Sequence, residues 1–570
     1  MITKKRIIYL LFWLIVVGVL SLLSAKGLFY PGYFESHDGI IHAMRQAHFN
    51  YALQHGQFPV RWLSTAMAGF GSPVLLFNWS LPYYLASALY LLGLSIEASL
   101  EVVLGASLLL SGVFCFLLVR QLTSNNLAGV IAGVLYVWAP YHMTDVYIRG
   151  ALGETVAFVF LPLQLWLVTL TTKNIRYTSL LIVIQSIVWL LFFLTHNLIA
   201  LFAIGLYVGF TVWLGKTGKL PRSFIKIQLL SLLLGLLLSA FFWLPAIVET
   251  QYIRYQQGYG EIFKQFPSIS QLLFSPWKYA YAHPDAPQVS MSFRIGIVHI
   301  SLFLLSILYV LYALVRKKFQ HIRLIVFFML VVLVSFFFSS NLSKGLYALL
   351  PQARIIGFPW RFLTFTTFAL SVLAGLVFAK VQKLKALLFL LIIGSIFFSY
   401  WNFAKVVSYA YSATDQEYFS TIRTNIGFMP DTEFLPPNVN FPQMIERYGL
   451  SESHQFLESE AVSLLQITQL ERSAVNVQAT VVAQENTTVT IQQFAFPGWQ
   501  VVVDGSEVQL VDHKYGLINF SVNRGMHTIN ARFVNTPIRR FANAISLVTA
   551  GILGIIVVRF LLQKKRERLD

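Results

Sequence analysis

The residues best suited to chemistry lie near the N-terminus, in the segment 34–42 with the sequence FESHDGIIH. It follows a long apolar run, and an ionisable cluster beside a bilayer is expensive enough to indicate function. Asp38 could act as a general base toward an acceptor hydroxyl, with His37 as a second catalytic group and His42 binding substrate. Asp38 and His37 could instead hold a divalent metal ion. Alternatively, Asp38 caps a helix and the histidines are interfacial polar groups.

A second cluster, in residues 141–154 with the sequence YHMTDVYIRGALGE, combines two acids with one arginine. Arg149 could bind a phosphate or pair with Asp145 or Glu154, because guanidinium groups form bidentate hydrogen bonds with both kinds of oxyanion. Glu154 begins an apolar run, where a carboxylate suits the helix dipole. We predict that Glu154 is catalytic and that Arg149 and Asp145 bind substrate. An ordinary ion-pair cluster is the alternative.

Three further residues are predicted to bind substrate: Arg61 in GQFPVRW (56–62), His196 within an apolar run, and Arg361 in GFPWRF (357–362). Arg361 could hold a lipid-linked phosphate at the headgroup level, although Trp and Arg also anchor helices at membrane boundaries. His196 could equally be an interfacial, hydrogen-bonded residue. The chain contains no GxxxxGK[ST], HExxH or GxSxG motif, so phosphate-loop, zinc-peptidase and nucleophile-elbow chemistry have no support.

The composition shows which elements must position these residues. Hydrophobic residues make up 56% of the 570 positions and charged residues 12%, with a mean hydropathy of +0.66, which excludes a soluble globule. The net charge of +18 lies in short clusters between apolar runs, so it indicates membrane topology rather than nucleic-acid binding. The single cysteine, Cys115, excludes an internal disulfide and a CxxC metal site.

Apolar runs long enough to cross the hydrocarbon core predict a polytopic α-helical membrane protein with about 12–13 transmembrane helices. The run 178–214 is too long for one crossing and divides at Thr195, His196 and Asn197. Residues 74–94 either cross the membrane or form a juxtamembrane or re-entrant piece. Basic clusters favour the cytoplasm, which predicts a multi-pass cell-membrane protein with both termini inside. The predicted outer loops are residues 26–97, 141–154, 249–293 and 341–360.

The chain is predicted to divide into three parts. A transmembrane domain over residues 1–401 carries the outer loops, residues 402–540 form an extracytoplasmic β-rich domain, and residues 541–570 form a final transmembrane helix with a basic cytoplasmic tail. Apolar and polar residues alternate after Val475, and Asp504-Gly505 is a strong hairpin signal. These patterns predict a small antiparallel β-sandwich-like domain.

The order of these parts resembles the GT-C superfamily of membrane glycosyltransferases. Within it, the chain is most similar to YfhO-like proteins and to bacterial membrane proteins labelled 6-pyruvoyl-tetrahydropterin synthase-related. The resemblance spans nearly the whole chain and is carried by short motifs. These are HD at 37–38, FPVRW at 58–62, GFGSP at 69–73, YIRGALGE at 147–154, FPWRF at 358–362, FPGW at 496–499 and VDG at 503–505. The apolar crossings leave no room for a soluble, zinc-dependent pterin-synthase fold.

The resemblance implies transfer of a sugar from a polyprenyl-phosphate carrier to a cell-envelope polymer, glycolipid or protein acceptor outside the membrane. Membrane lipid is an expected partner, and nucleic acid is not. By the same analogy, Asp38 is the acidic residue of the first outer loop, acting as a base or as a metal ligand. Many members have two adjacent acids there, whereas this chain has His37 beside Asp38, so the cofactor stays open, with a divalent cation as one option. A lipid-linked sugar transporter or flippase and a non-catalytic scaffold for envelope polymers are the competing functions.

Overall fold

The computed structural model describes residues 4–172, 177–254, 262–319, 322–349, 356–409, 413–422, 431–449, 457–459 and 464–569. Parts of three predicted regions lie outside the described residues. They are 255–261 in the outer loop 249–293, 350–355 in the outer loop 341–360, and 410–412, 423–430, 450–456 and 460–463 in the predicted region 402–540.

Long apolar helices dominate the described part of the chain. Helices in the first half are α1 Lys4–Leu22, α2 Gly39–Gln54, α3 Val74–Phe77, α4 Leu81–Leu91, α5 Ile96–Thr123, α6 Asn126–Val137, α7 Pro140–Thr144, α8 Leu152–Thr171, α9 Thr178–Thr195, α10 Asn197–Thr217, α11 Arg222–Leu238 and α12 Ala240–Glu249. Those in the second half are α13 Ile269–Phe274, α14 Ile297–Val315, α15 Arg323–Ser339, α16 Lys344–Leu349, α17 Leu363–Phe378, α18 Lys385–Tyr400, α19 Asp415–Ser420, α20 Phe441–Tyr448 and α21 Pro537–Leu569.

The predicted membrane-protein class is confirmed. Among the described residues, nine helices are long and apolar enough to cross a bilayer, or up to twelve if each of three bent helix pairs is one span. Residues 74–94 are not one of these spans, because they form the two short helices α3 and α4. The predicted division of the run 178–214 is also present: α9 ends at Thr195, His196 is extended, and α10 begins at Asn197.

The helices differ in how much of their surface is covered by neighbouring parts of the protein. Helices α8 and α17 are largely buried by their neighbours, so their apolar side chains pack against protein on nearly all sides. By contrast, α1, α14, α18 and α21 leave most of their apolar side chains exposed. Such exposed apolar surface is stable only against lipid. The bundle thus has a protein-packed centre and a lipid-facing periphery.

Within the described ranges, eight antiparallel strands form a sandwich of two sheets between α20 and α21. They are β1 Leu457–Ser459, β2 Leu465–Arg472, β3 Asn476–Ala483, β4 Thr487–Phe494, β5 Trp499–Val503, β6 Ser506–Glu507, β7 Leu517–Val522 and β8 Gly525–Phe533. One sheet has the order β1-β4-β7 and the other β2-β3-β8-β5-β6. Strand β3 alternates buried and more exposed positions, as its period-two sequence predicts.

The predicted hairpin at Asp504-Gly505 joins β5 to β6, with Val503 opposite Ser506. Asp504 and Gly505 have φ angles of +50° and +85°. Two consecutive positive φ values are typical of the tight turns that match the twist of β-strands.

The loop that contains FPVRW and GFGSP contacts the β-sandwich. The Trp62 indole is fully buried, donates a 2.8 Å hydrogen bond to Gln493 Oε1, and packs on Phe496 and Phe533 with ring centroids 6.0 and 5.1 Å away. A Cβ at Gly71, whose φ is +88°, would lie 2.3 Å from the Trp62 ring. These motifs therefore join the β-sandwich to the helical part of the protein.

Candidate functional site

Two predicted segments, 34–42 and 141–154, lie side by side through backbone hydrogen bonds. The amide of His37 donates to the carbonyl of Ile148 at 2.9 Å, and the amide of Asp38 donates to the carbonyl of Arg149 at 2.8 Å. Gly150 permits this approach, because its φ is +63° and a Cβ there would lie 2.4 Å from Ser36 Oγ. Local backbone pairing thus places Asp38 beside the arginine that the sequence singles out.

These segments form one wall of a cavity of about 470 Å³. The loop before α17 and the break between α9 and α10 supply further walls. Six of the nine predicted site residues line it: Asp38, His42, Arg149, Glu154, His196 and Arg361. These six residues come from four separate parts of the chain and meet at one site.

Glu154, in the cavity wall, accepts hydrogen bonds at both of its carboxylate oxygens. Its Oε1 accepts hydrogen bonds from the Tyr141 hydroxyl at 2.7 Å and the Thr364 hydroxyl at 3.1 Å, and its Oε2 accepts one from Arg149 Nη1 at 2.8 Å. Arg361 Nε lies 3.9 Å from the same Oε2. Since Glu154 is only 1% exposed and both its oxygens are engaged, it is better placed to orient the arginines than to accept a proton.

Asp38 has a different environment, because its carboxylate faces the cavity and is half-buried. Among the residues that the structure describes, that carboxylate accepts no hydrogen bond, and it does not cap α2. Burial raises the pKa of Asp38, while the charges of Arg149 and Arg45 oppose the increase. A carboxylate with free lone pairs and a raised pKa is suited to take a proton from a bound hydroxyl.

Cationic groups surround this carboxylate. Arg149 Nη1 pairs with Asp145 at 2.5 Å as well as with Glu154. Arg361 Nη1 donates to the carbonyl of Ile356 at 2.9 Å, and its guanidinium lies 4.9 Å from the centroid of the Phe358 ring. These contacts hold two guanidinium groups at the cavity surface, where they could neutralise a phosphate.

The two cavity histidines make structural hydrogen bonds. His42 Nδ1 lies 2.8 Å from the Tyr83 hydroxyl, and burial together with Arg45 lowers the pKa of His42 well below its ordinary value. His42 is therefore neutral near pH 7. His196 Nδ1 accepts a 3.3 Å hydrogen bond from the amide of Ile199 and so caps α10. Each imidazole still presents an edge to the cavity.

Three predicted site residues lie elsewhere. The His37 ring stacks on Tyr281 with centroids 4.5 Å apart, and burial with Arg149 lowers its pKa to about 4. Asp145 is fully buried behind Arg149. Arg61 contacts the start of the last helix: its guanidinium donates to Asn535, to Asn543 at 2.8 Å and to the carbonyl of Phe241 at 3.0 Å.

The residues at the site do not fit a divalent cation. Within the described ranges, no group of three or more His, Cys, Asp or Glu residues is arranged to hold a metal ion. The proposed ligand pair is also poorly placed, because the His37 ring stacks outside the cavity and Asp38 lies in the field of Arg149 and Arg45. Cations disfavour a further cation.

Several lining residues are not among the nine predicted site residues: Arg45, Asn78, Trp79 and Glu433. The sequence pattern could have predicted Arg45, because positions 38, 42 and 45 are spaced by four and three residues and share one helical face. Arg45 Nη1 donates to the Tyr83 hydroxyl at 3.1 Å. Glu433 lies far along the chain, after α19, and no local pattern connects it to the other lining residues.

The comparison with known proteins agrees with the membrane architecture. Residues 76–407 match a family model described as a 6-pyruvoyl-tetrahydropterin synthase related domain and as a membrane protein. That range includes α4 to α18 and most of the cavity wall, but not Asp38. No curated protein matches the chain.

Proposed function

The chain belongs to the 6-pyruvoyl-tetrahydropterin synthase-related family of membrane proteins, and we propose that it is a glycosyltransferase. In this proposal it moves a sugar from a polyprenyl-phosphate carrier to a cell-envelope acceptor at the outer face of the membrane. The resemblance to GT-C enzymes suggests the reaction class. The observation that carries the proposal is the Asp38 carboxylate, which accepts no hydrogen bond from the described residues and faces a cavity also lined by Arg149 and Arg361.

The proposed reaction is a direct displacement at the anomeric carbon. Asp38 takes the proton of the acceptor hydroxyl, and the acceptor oxygen forms a bond to that carbon. The bond between the carbon and the phosphate oxygen breaks, and the lipid phosphate leaves with the electron pair. Attack opposite the leaving group inverts the configuration.

In this proposal, Arg149 and Arg361 stabilise the leaving phosphate. Negative charge grows on the phosphate as the glycosidic bond breaks, and guanidinium groups already held in place stabilise that charge without reorganisation. Arg361 is supported by the Ile356 carbonyl and the Phe358 ring, and Glu154 orients Arg149. Glu154 is thus a positioning residue here, and Asp38 is the catalytic base.

The placement of the charges favours this reaction over transport. A transporter needs ionisable groups near the bilayer midplane, where alternating access exposes them to both sides. Here Arg149 precedes α8 and Arg361 precedes α17, so both lie at helix ends. A binding scaffold does not require a partially desolvated carboxylate without a hydrogen-bond partner.

The test is turnover of radiolabelled polyprenyl-phosphate sugars by the purified full chain in detergent or liposomes. Replacing Asp38 by Asn removes the base and should lower transfer by about 10²–10⁴-fold. Asp285→Asn is the matched control, because Asp285 is exposed, lies in a predicted outer loop and does not line the cavity. It should retain wild-type turnover.

Three outcomes distinguish the alternatives. Undiminished transfer by Asp38→Asn, with unfolding temperatures equal in both variants, would remove Asp38 from catalysis. Movement of labelled lipid across vesicles without sugar release would identify a transporter. A chelator should leave turnover unchanged, because the described part of the chain offers no suitable ligand set for a divalent cation at the cavity.

A further inference from the structure

A second cavity, of about 660 Å³, lies at the opposite ends of helices that border the candidate site. Helix α10 begins beside His196 at the first cavity and ends at Thr217 in the second. Helix α17 likewise follows Arg361 and ends just before Ala379 and Lys380. A sixteen-residue helix spans about 24 Å, so the two cavities open at opposite sides of the bilayer.

The charged residues described at the second cavity are all basic. Lys219, Arg323 and Lys380 line it, and none of the described residues that line it is acidic. Arg323 Nη1 donates a 2.9 Å hydrogen bond to the carbonyl of Thr217, which fixes the guanidinium between α10 and α15. The two lysines are exposed at the opening. Three cations without a lining carboxylate favour an anionic ligand.

The rest of the cavity wall is partly apolar. Leucine and isoleucine side chains come from four helices, α5, α10, α15 and α17: Leu122, Leu214, Leu324, Ile325 and Leu376. Thr123 and Thr217 also line the wall. Basic residues at a membrane boundary often only reflect topology, but topology alone does not require them to line a cavity. A cationic opening beside this apolar part of the wall matches a molecule with a charged head and hydrocarbon chains.

We propose that this second cavity binds the phosphate group of an anionic membrane lipid on the face opposite to the candidate site. The phosphate would lie between Lys219, Arg323 and Lys380, and the acyl chains would lie along the apolar walls. Basic pockets between transmembrane helices bind such headgroups through these two contributions. A free phosphate ion offers the same charge without the chains, so the experiment must separate the two sources.

The experiment titrates the detergent-purified full chain with phosphatidylglycerol or phosphatidylcholine and counts bound lipids by native mass spectrometry. The variant is Lys219→Gln with Lys380→Gln, which removes two cations and none of the hydrogen bonds described for Arg323. The matched control is Lys216→Gln with Lys383→Gln. It removes the same net charge, three residues from Lys219 and from Lys380 respectively, but neither residue lines the cavity.

We expect the wild type and the control to retain phosphatidylglycerol in preference to phosphatidylcholine, and the cavity variant to bind it about 25-fold more weakly. Phosphatidylglycerol that excess inorganic phosphate does not displace identifies a lipid site, and displacement identifies a site for phosphate alone. Equal weakening in the control variant, or equal retention of phosphatidylcholine, would overturn the proposal.

Discussion

A buried ion pair joins α12 to α21 beside the β-sandwich, and removing one partner should strongly destabilise the protein. Arg539, in the first turn of α21, donates to Glu249 Oε2 from Nε at 3.0 Å and from Nη2 at 2.8 Å. Arg539 Nη2 also donates to the Pro497 carbonyl at 2.8 Å, and Thr536 donates to Glu249 Oε1 at 2.7 Å. Both charged side chains are at most 2% exposed.

Replacing Arg539 by Met leaves the Glu249 carboxylate buried without its partner. Breaking a buried pair in this way costs roughly 3–5 kcal/mol. With about 2–4 °C per kcal/mol for a moderately large cooperative unit, the unfolding midpoint should fall by about 6–20 °C. Arg540 is exposed and adjacent, so Arg540→Met should change the free energy of unfolding by only about 0.5 kcal/mol.

The assay is thermal unfolding of the detergent-purified full chain, followed by tryptophan fluorescence at one scan rate for all variants. Glu249→Leu combined with Arg539→Met should recover part of the loss, because no unpaired charge then remains buried. Equal midpoints for Arg539→Met and Arg540→Met would refute the reasoning, since they would show that water or neighbouring groups compensate for the lost partner.

Three further predictions concern the site and the β-sandwich. Glu154→Gln should reduce the kcat of sugar transfer by about 10²-fold with a smaller change in KM, because Arg149 loses the carboxylate that orients it. In a pH profile of transfer, kcat/KM should rise with pH, and its midpoint should exceed the ordinary Asp value of about 3.9, because burial raises the pKa of Asp38. Asp504→Asn should speed hydrogen exchange in β5 and β8 between about pH 4 and 6.5. Hydrogen bonds from Thr528 and His527 lower the pKa of Asp504, so Asp504 is ionised in that window. Asp504 in turn raises the pKa of His527, so His527 is protonated there.

Each of these predictions has a contradicting result. An unchanged kcat in Glu154→Gln would mean that Arg149 keeps its position without that carboxylate. A kcat/KM profile that is flat from pH 4 to 7 would exclude Asp38 as the base. The effect of Asp504→Asn should be lost as pH rises through the raised pKa of His527 or falls through the lowered pKa of Asp504. An effect of equal size at pH 9 would assign it to the Thr528 hydrogen bond alone.

Some of the candidate site could be predicted from local sequence. Asp38 and His42 lie one helical turn apart, and Arg149 and Glu154 lie in one short segment. Because only 12% of the residues are charged, such ionisable groups stand out as candidates. Arg61 is also a charged residue in a predicted outer loop, but it does not line the cavity. It contacts the start of the last helix, because Asn535 and Asn543 provide its hydrogen-bond acceptors. Sequence alone does not distinguish an arginine that lines the cavity from one that joins distant helices.

The sequence by itself determined the membrane class, the main helices and the β-hairpin at Asp504, because hydrocarbon thickness and turn geometry act on contiguous residues. Only the tertiary structure decided which charged groups share a cavity. It also decided that Glu154 is fully hydrogen-bonded while Asp38 is not. Those differences depend on contacts with Tyr141 and Thr364 across separate helices, and such distances are set by packing rather than by spacing along the chain.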